Sequence, residues 1–272
     1  MRIISSNMAH RRESWYHLLK IKPDIALLQE ASEPPDEIKH EYLVDPEPWL
    51  TEGPGNSRRW RTAIVRFNSS IEIEWIKPYV INQADYKQFA VSRVGTLSAA
   101  KVHEKEGQEL ILISMYGLWE SLHELTTGNW IYADASVHRL ISDLSVFIGT
   151  QKGHRILAAG DLNSLYGYGE NGSPYWGERY ATIFSRMKAL GLEFIGPQVP
   201  NGRQAEPWPS ELPQTSKSVP TYYSTRQNPV SASRQLDFVF TSSEIAQGCQ
   251  VSALNDPEGW GPSDHCVIQI DL

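Results

Sequence analysis

Hydrophobic and polar positions divide the chain into short, clearly bounded segments. Arg2 to Asn7 (RIISSN) reads as a strand, and the next stretch places Trp15, Leu18 and Leu19 on one helical face before Pro23 stops it. A second strand follows from Ile25 to Gln29. Asn7 and Glu30 are thus expected at the carboxyl ends of their strands, where sheets in mixed folds usually carry ligand sites.

From Trp60 the pattern changes to runs rich in β-branched and aromatic residues: WRTAIVRF, IEIEWI, QFAVSRVGTLSAAKV and ELILISMY. These predict strands, antiparallel and joined by hairpins. Val137, Leu140, Ile141, Leu144, Phe147 and Ile148 then form one apolar stripe, predicting a helix from Ser136 to Ile148 that packs on a sheet. RILAAG reads as a buried strand and Tyr175 to Leu190 as a helix. Pro197 to Pro220 reads as a long loop punctuated by Pro197, Pro200, Pro207, Pro209, Pro213 and Pro220, and closing strands run from Arg234 to Phe240 and from Cys266 to Ile270. Without the regular alternation of a doubly wound sheet, the layer rules favour two packed sheets with helices outside.

Length and charge narrow the picture. A chain of 272 residues, 40% hydrophobic, is read as a single domain spanning 1–272 with a sizeable core. Its 25 Lys and Arg against 32 Asp and Glu give a formal charge of -7 and no global attraction to polyanions, so any such partner must meet a locally basic face. Cys249 and Cys266 are too few for a disulfide framework, and no segment approaches a signal peptide or a membrane span. The expected location is the cytoplasm, with no obligate protein partner evident.

The candidate chemistry sits at strand ends. Glu30 is either a solvated strand-end carboxylate or a hard oxygen ligand for magnesium or manganese. Asp161 and Asn163, in GDLNS, can cap a turn or position a water and a phosphate oxygen. Asp237 interrupts the apolar run QLDFVF and needs a partner there, and His265 in PSDHC is the candidate, with Asp264 beside it able to reach a metal. An aspartate bonded to an imidazole fixes its tautomer and favours its protonated form.

The joint order of Asn7, LQE ending at Glu30, Tyr116 in SMYGLW, GDLN ending at Asn163, LDF around Asp237 and SDH ending at His265 resembles the endonuclease/exonuclease/phosphatase superfamily, which includes deoxyribonuclease I and exonuclease III. The resemblance runs from Arg2 to Leu272. It implies an α/β fold, a four-layer αββα sandwich of two mixed, mostly antiparallel sheets flanked by helices, with the active site at one edge between the sheets. It also implies a divalent-metal-dependent phosphoric ester hydrolase using Mg2+ or Mn2+. Asn7 and Glu30 resemble the metal-side pair, with Asp264 a further ligand. Asp161 resembles the residue that activates the attacking water, with Asn163 on the phosphate. His265, oriented by Asp237, is similar to the histidine that stabilises developing phosphoryl charge, and Tyr116 falls where some members place a phosphate-contacting Tyr. Two positions depart from the pattern: Ser6, often aromatic in the superfamily, and Ala9, polar in many of its nucleases, which leaves one ligand fewer.

Loops must decide the substrate, because the superfamily hydrolyses several phosphate esters. Arg11 and Arg12 follow the first strand, and Arg58, Arg59 and Arg61 surround Trp60, a mixture of cations and aromatics suited to nucleic acid. Trp119, Trp130, Tyr132, Tyr175, Trp176, Trp208, Tyr222 and Tyr223 lie in or near predicted loops and are candidates to line the cleft. A nuclease acting on DNA or RNA is the leading expectation. The alternatives are a phosphatase or phosphodiesterase for a small-molecule or lipid-headgroup phosphate, and a non-enzymatic binding module.

Overall fold

The computed structural model describes residues 1–51, 57–104, 108–119, 133–148, 154–224 and 226–272. Its strands, in chain order, are β1 (Arg2–Asn7), β2 (Ile25–Ser32), β3 (Leu43–Val44), β4 (Trp60–Arg66), β5 (Glu72–Ile76), β6 (Tyr79–Val80) and β7 (Ala90–Val91). They continue with β8 (Leu97–His103), β9 (Glu109–Tyr116), β10 (Ile156–Asp161), β11 (Leu192–Gly196), β12 (Asp237–Ser242), β13 (Gln250–Leu254) and β14 (Val267–Asp271). The helices are α1 (Arg12–Ile21), α2 (Asp36–Glu41), α3 (Ala133–Leu144), α4 (Pro174–Ala189) and the short α5 (Ser243–Ala246).

One six-stranded sheet has the order β13-β14-β1-β2-β4-β3, and the other β11-β12-β10-β9-β8-β5. Each contains one parallel pair, β1 with β2 and β9 with β10, while its other pairings are antiparallel. Central strands are covered on both faces, which is why they read as continuous apolar runs rather than alternating ones. Ile3, Ile25, Leu27 and Ile64 of the first sheet meet Leu110, Leu112, Leu157 and Val239 of the second in a shared core. The neighbouring residues point the other way. Ile4, Ala26 and Leu28 pack with Trp15 and Leu18 of α1, whereas Ile113, Ile156, Ala158 and Phe240 pack with Val137, Leu140 and Ile141 of α3 and Ile183 and Met187 of α4. The result is the four-layer sandwich.

Two expectations are corrected. WRTAIVRF and IEIEWI do not form a hairpin: β4 joins β2 in one sheet, and β5 joins β8 in the other. Asn68 fixes the crossing between them, its amide donating to Asp24 Oδ1 at 2.7 Å, and Trp75 Nε1 on β5 reaches back to the Ile64 carbonyl at 2.9 Å. The helix predicted from Ser136 to Ile148 begins earlier, at Ala133, and tightens into a 3-10 turn after Leu144. The Pro197 to Pro220 segment, though irregular, is tied down by side chains. Asn255 accepts from Arg203 N and donates to the Pro220 carbonyl, and Gln235 donates to the Pro197 carbonyl. None of the helices among the described residues is long and apolar enough to cross a membrane.

Candidate active site

Strand register brings the sequence motifs together. Asp161, the last residue of β10, is paired with Tyr116 on one side and Asp237 on the other, so three functional candidates stand in one row across β9, β10 and β12. In the facing sheet Asn7 ends β1 beside Gln29 of β2. Gln29 is fully buried and joins the layers by donating to Ser114 Oγ on β9 at 2.9 Å. The β2–β4 register slips between Leu28 and Ala31, and this bulge re-aims Glu30 toward the gap between the sheets.

A cleft of about 420 Å³ opens at this edge, lined by residues that include Glu30, Tyr116, Asp161, Asn163, Asp264 and His265. Six non-glycine residues have left-handed φ among those described, and four of them, Ala9, His10, Glu30 and Asn163, line it. That conformation is unfavourable for L-residues and persists where surrounding contacts over-determine it, as at functional sites.

Asp161 is the hub. Its Oδ2 accepts from Asn7 Nδ2 at 3.0 Å and Asn163 Nδ2 at 3.2 Å, and its Oδ1 accepts from the Asn163 amide N–H at 2.8 Å. His265 Nε2 lies 3.7 Å from the same Oδ2, while His265 Nδ1 is 2.8 Å from Asp237 Oδ2. Burial raises the Asp161 carboxyl to about 7, with the charge of His265 opposing the shift. For His265, burial acts to lower the imidazole, but the charges of Asp237 and Asp161 outweigh it and push the group up to about 10. Burial likewise acts to raise Glu30. Hydrogen bonds from His10 and Tyr116, and the charges of His10 and His265, hold it below its ordinary value. The Tyr116 phenol is raised by burial and by the nearby Glu30 and Asp161, so it stays protonated.

Asn7 is brought to Asp161, and its Oδ1 accepts from Ala9 N at 2.9 Å. Asp161, Asp237 and His265 each offer a donor atom within 4.8 Å of the others. Their atoms are engaged with one another and with the two asparagines, so this trio is a hydrogen-bonded network, and the other carboxylates lining the cleft are Glu30, Asp264 and Glu170, the last paired with Arg234.

Sequence reasoning missed three side chains that hold the reaction centre in place. Thr221 Oγ1 accepts from the backbone N–H of Leu236 at 2.9 Å and Asp237 at 3.2 Å, and the Thr221 carbonyl accepts from Cys266 N. It therefore clamps the strand carrying Asp237 to the segment carrying His265. Ser263 Oγ accepts from His265 N and donates to the Asn7 carbonyl at 2.7 Å. His10 Nε2 stands 2.9 Å from Glu30 Oε2. A lone Thr in a proline-rich stretch carries no sequence signal for such a clamp, whereas the histidine beside Asn7 was visible.

The arginines separate into groups. Arg11 lines the cleft, and Arg59 is exposed next to Trp60, whose ring packs on the cleft residues His10 and Tyr116. Arg12 points to Glu37 and lies at a separate shallow depression. Arg58 stacks over Trp60, with a ring distance of 4.6 Å, and donates to the Val94 carbonyl. Arg61 does not face the cleft: it is 2% exposed, 3.0 Å from Asp45 and packed on Trp49, because a buried guanidinium requires a carboxylate and carbonyls around it. Arg234, not anticipated, lines the cleft and pairs with Glu170 at 2.9 Å. Of the aromatic candidates Trp119 and Tyr222 line it, Tyr222 packing on the His265 ring at 4.9 Å. Tyr175 and Trp176 pack around Arg179, Trp208 donates to Leu212 and Tyr223 packs on Trp260. Trp130 and Tyr132 lie outside the described residues.

This architecture, two mixed sheets between helices with the cleft at their edge, is a fold shared with solved structures of nucleases and a phosphatase. Three solved structures show the likeness. The catalytic domain of Xenopus laevis APE2 aligns with TM-score 0.64 at 15% identity, covering 100% of this chain and 91% of that one. The endonuclease domain of TRAS1, a telomere-specific non-LTR retrotransposon, aligns with TM-score 0.62 at 13% identity, covering 100% and 97%. The 3′ phosphatase NExo from Neisseria, bound to a product DNA hairpin, aligns with TM-score 0.57 at 17% identity, covering 100% and 99%. No protein-family model matches the sequence, and no curated protein matches it.

Proposed function

We propose that this chain is a divalent-metal-dependent phosphodiesterase, a nuclease that hydrolyses DNA or RNA by attack of an activated water. The observation that carries the reading is the convergence on Asp161 Oδ2 of Asn7, Asn163 and His265 at the floor of a cleft whose walls hold Glu30 and Asp264. The solved structures with this fold support it, since they include an endonuclease domain and a 3′ phosphatase bound to product DNA.

The donor set fits Mg2+ or Mn2+: Glu30 and Asp264 are carboxylates at the cleft, the Asn7 amide lies behind them against Asp161, and no thiol is among the lining residues. A bound cation supplies Lewis-acid polarisation of the phosphate and neutralises charge on the leaving oxygen. Asp161, raised to about 7, is poised to take a proton from water near neutral pH, with Asn7 and Asn163 fixing its oxygens. His265 stays protonated and presents an Nε2–H donor to negative charge developing on the phosphoryl oxygens. Asp237 holds that imidazole from behind, and Tyr116 donates to Glu30. No covalent intermediate with the protein is required.

The modest cleft and the acidic Glu170 on its wall favour a second reading, a phosphatase or phosphodiesterase for a small phosphate ester. We assign the protein to the cytoplasm, where its two free thiols, Cys249 and buried Cys266, remain reduced. The deciding experiment incubates the protein with Mg2+ or Mn2+ against labelled single-stranded and duplex DNA, RNA, nucleotides and inositol phosphates. Metal-dependent cleavage of polynucleotide is expected. Turnover confined to small phosphate esters would transfer the assignment to the second reading, and full turnover after exhaustive chelation would refute both.

A further inference from the structure

His10, three residues after Asn7, places an imidazole directly against Glu30. Ala9 and His10 both have left-handed φ, 47° and 57°, so the chain turns back on itself directly after β1. The turn is laced onto the β2 bulge by backbone bonds from Met8 N to the Gln29 carbonyl at 2.8 Å and from His10 N to the Glu30 carbonyl at 3.1 Å. The His10 ring then lies against Trp60, 4.9 Å between centroids, with Nε2 2.9 Å from Glu30 Oε2. Both side chains line the cleft and keep access to solvent, at 43% and 18% exposure.

That separation suits more than a hydrogen bond. Two donors at right angles, each about 2.1 Å from a shared cation, lie roughly 3.0 Å apart. An imidazole ligates through the lone pair of one ring nitrogen while its proton resides on the other, so Nε2 can turn from donating to Glu30 to joining it on an ion. Imidazole is a poor partner for Mg2+ and a good one for first-row transition ions.

Taking the cleft to be the metal-dependent centre proposed above, on which this step rests, we infer that His10 Nε2 and a Glu30 carboxylate oxygen hold the divalent cation together. The centre therefore prefers Mn2+, or another first-row ion, to Mg2+. The test titrates Mn2+ into the protein while electron paramagnetic resonance follows the free ion, then examines the loaded protein for nitrogen modulation of the electron spin echo. Wild type should show nitrogen coupled to Mn2+. His10→Ala should lose that coupling and roughly tenfold or more of its Mn2+ affinity, with Mg2+ affinity changed by less than about twofold. His10→Asn, which tolerates the left-handed backbone, should behave the same way while keeping the fold. Mn2+ binding that Glu30→Gln abolishes, without nitrogen coupling in wild type or with coupling undiminished in His10→Ala, would refute the histidine ligand and leave the proposed function standing. Failure of the folded wild type to bind Mn2+ or Mg2+ at all would overturn both.

Discussion

His265 Nδ1 and Asp237 Oδ2 are 2.8 Å apart, and both residues are buried between the ends of the two sheets. Neither could be charged there alone, since removing one partner of a buried ion pair leaves an uncompensated charge. Asp237→Asn should therefore lower stability by about 3 kcal/mol and also reduce turnover, because the imidazole loses the charge that keeps it protonated. Urea unfolding beside the activity assay checks this, and an unchanged midpoint would contradict it.

The same pair sets a pH dependence in chelator-treated protein. His265 is raised from 6.5 to about 10, so its stabilisation is complete below pH 6.5 and is lost as pH climbs through 10. Asp161, raised from 3.8 to about 7, favours the fold when protonated and adds a loss of stability over that lower range. Unfolding free energy should fall by at least about 1 kcal/mol between pH 6.5 and 10, and less steeply in Asp237→Asn. A flat wild-type profile would show that the pair is not charged as described.

Glu30→Gln and Asp161→Asn each remove a charge without removing packed volume. Each should reduce the rate at least about a hundredfold, with the circular dichroism melt of Glu30→Gln, whose side chain meets solvent, staying near wild type. Near-normal turnover in either variant would relocate the reaction centre.

How far the sequence carried the site depended on the kind of interaction. Strand ends were legible because apolar runs stop at Asn7, Glu30 and Asp161, and motif order linked them across the chain. Sheet membership was not, since β4 and β5 have the composition of hairpin neighbours, and the Asn68 to Asp24 bond, the Trp75 to Ile64 bond and the cores on each face belong to their places in opposite sheets. Hydroxyl clamps such as Thr221 were invisible for the same reason: their partners are backbone groups, which leave no trace in residue type.

Thr221 nevertheless yields a sharp expectation. Thr221→Val preserves shape but removes the acceptor for the Leu236 and Asp237 amides, leaving two buried N–H groups unpaired. The cost should be about 1 to 3 kcal/mol, accompanied by slower turnover at unchanged metal affinity. Thr221→Ser, which restores the hydroxyl, should recover the rate, and its failure to do so would mean that packing of the methyl group matters instead.

The arginines test the polymer reading, because the structure divides five similar cations into different duties. Arg11 lines the cleft and Arg59 is exposed beside Arg58 and Trp60, so both can neutralise phosphates of a bound strand. Counterion release predicts that each contact steepens the loss of affinity with salt by roughly 0.7 to 0.9 in the log-log slope. The Arg11→Ala, Arg59→Ala double variant, measured in an Asp161→Asn background, should accordingly flatten the slope by roughly one to two. Arg61→Ala should do the opposite, lowering thermal stability through loss of its Asp45 pair and Trp49 packing while leaving the slope unchanged. An unaltered slope in the double variant would remove the cationic basis for a polynucleotide and favour the small phosphate ester. A slope change in Arg61→Ala without loss of stability would mean that its guanidinium leaves Asp45 to meet the strand.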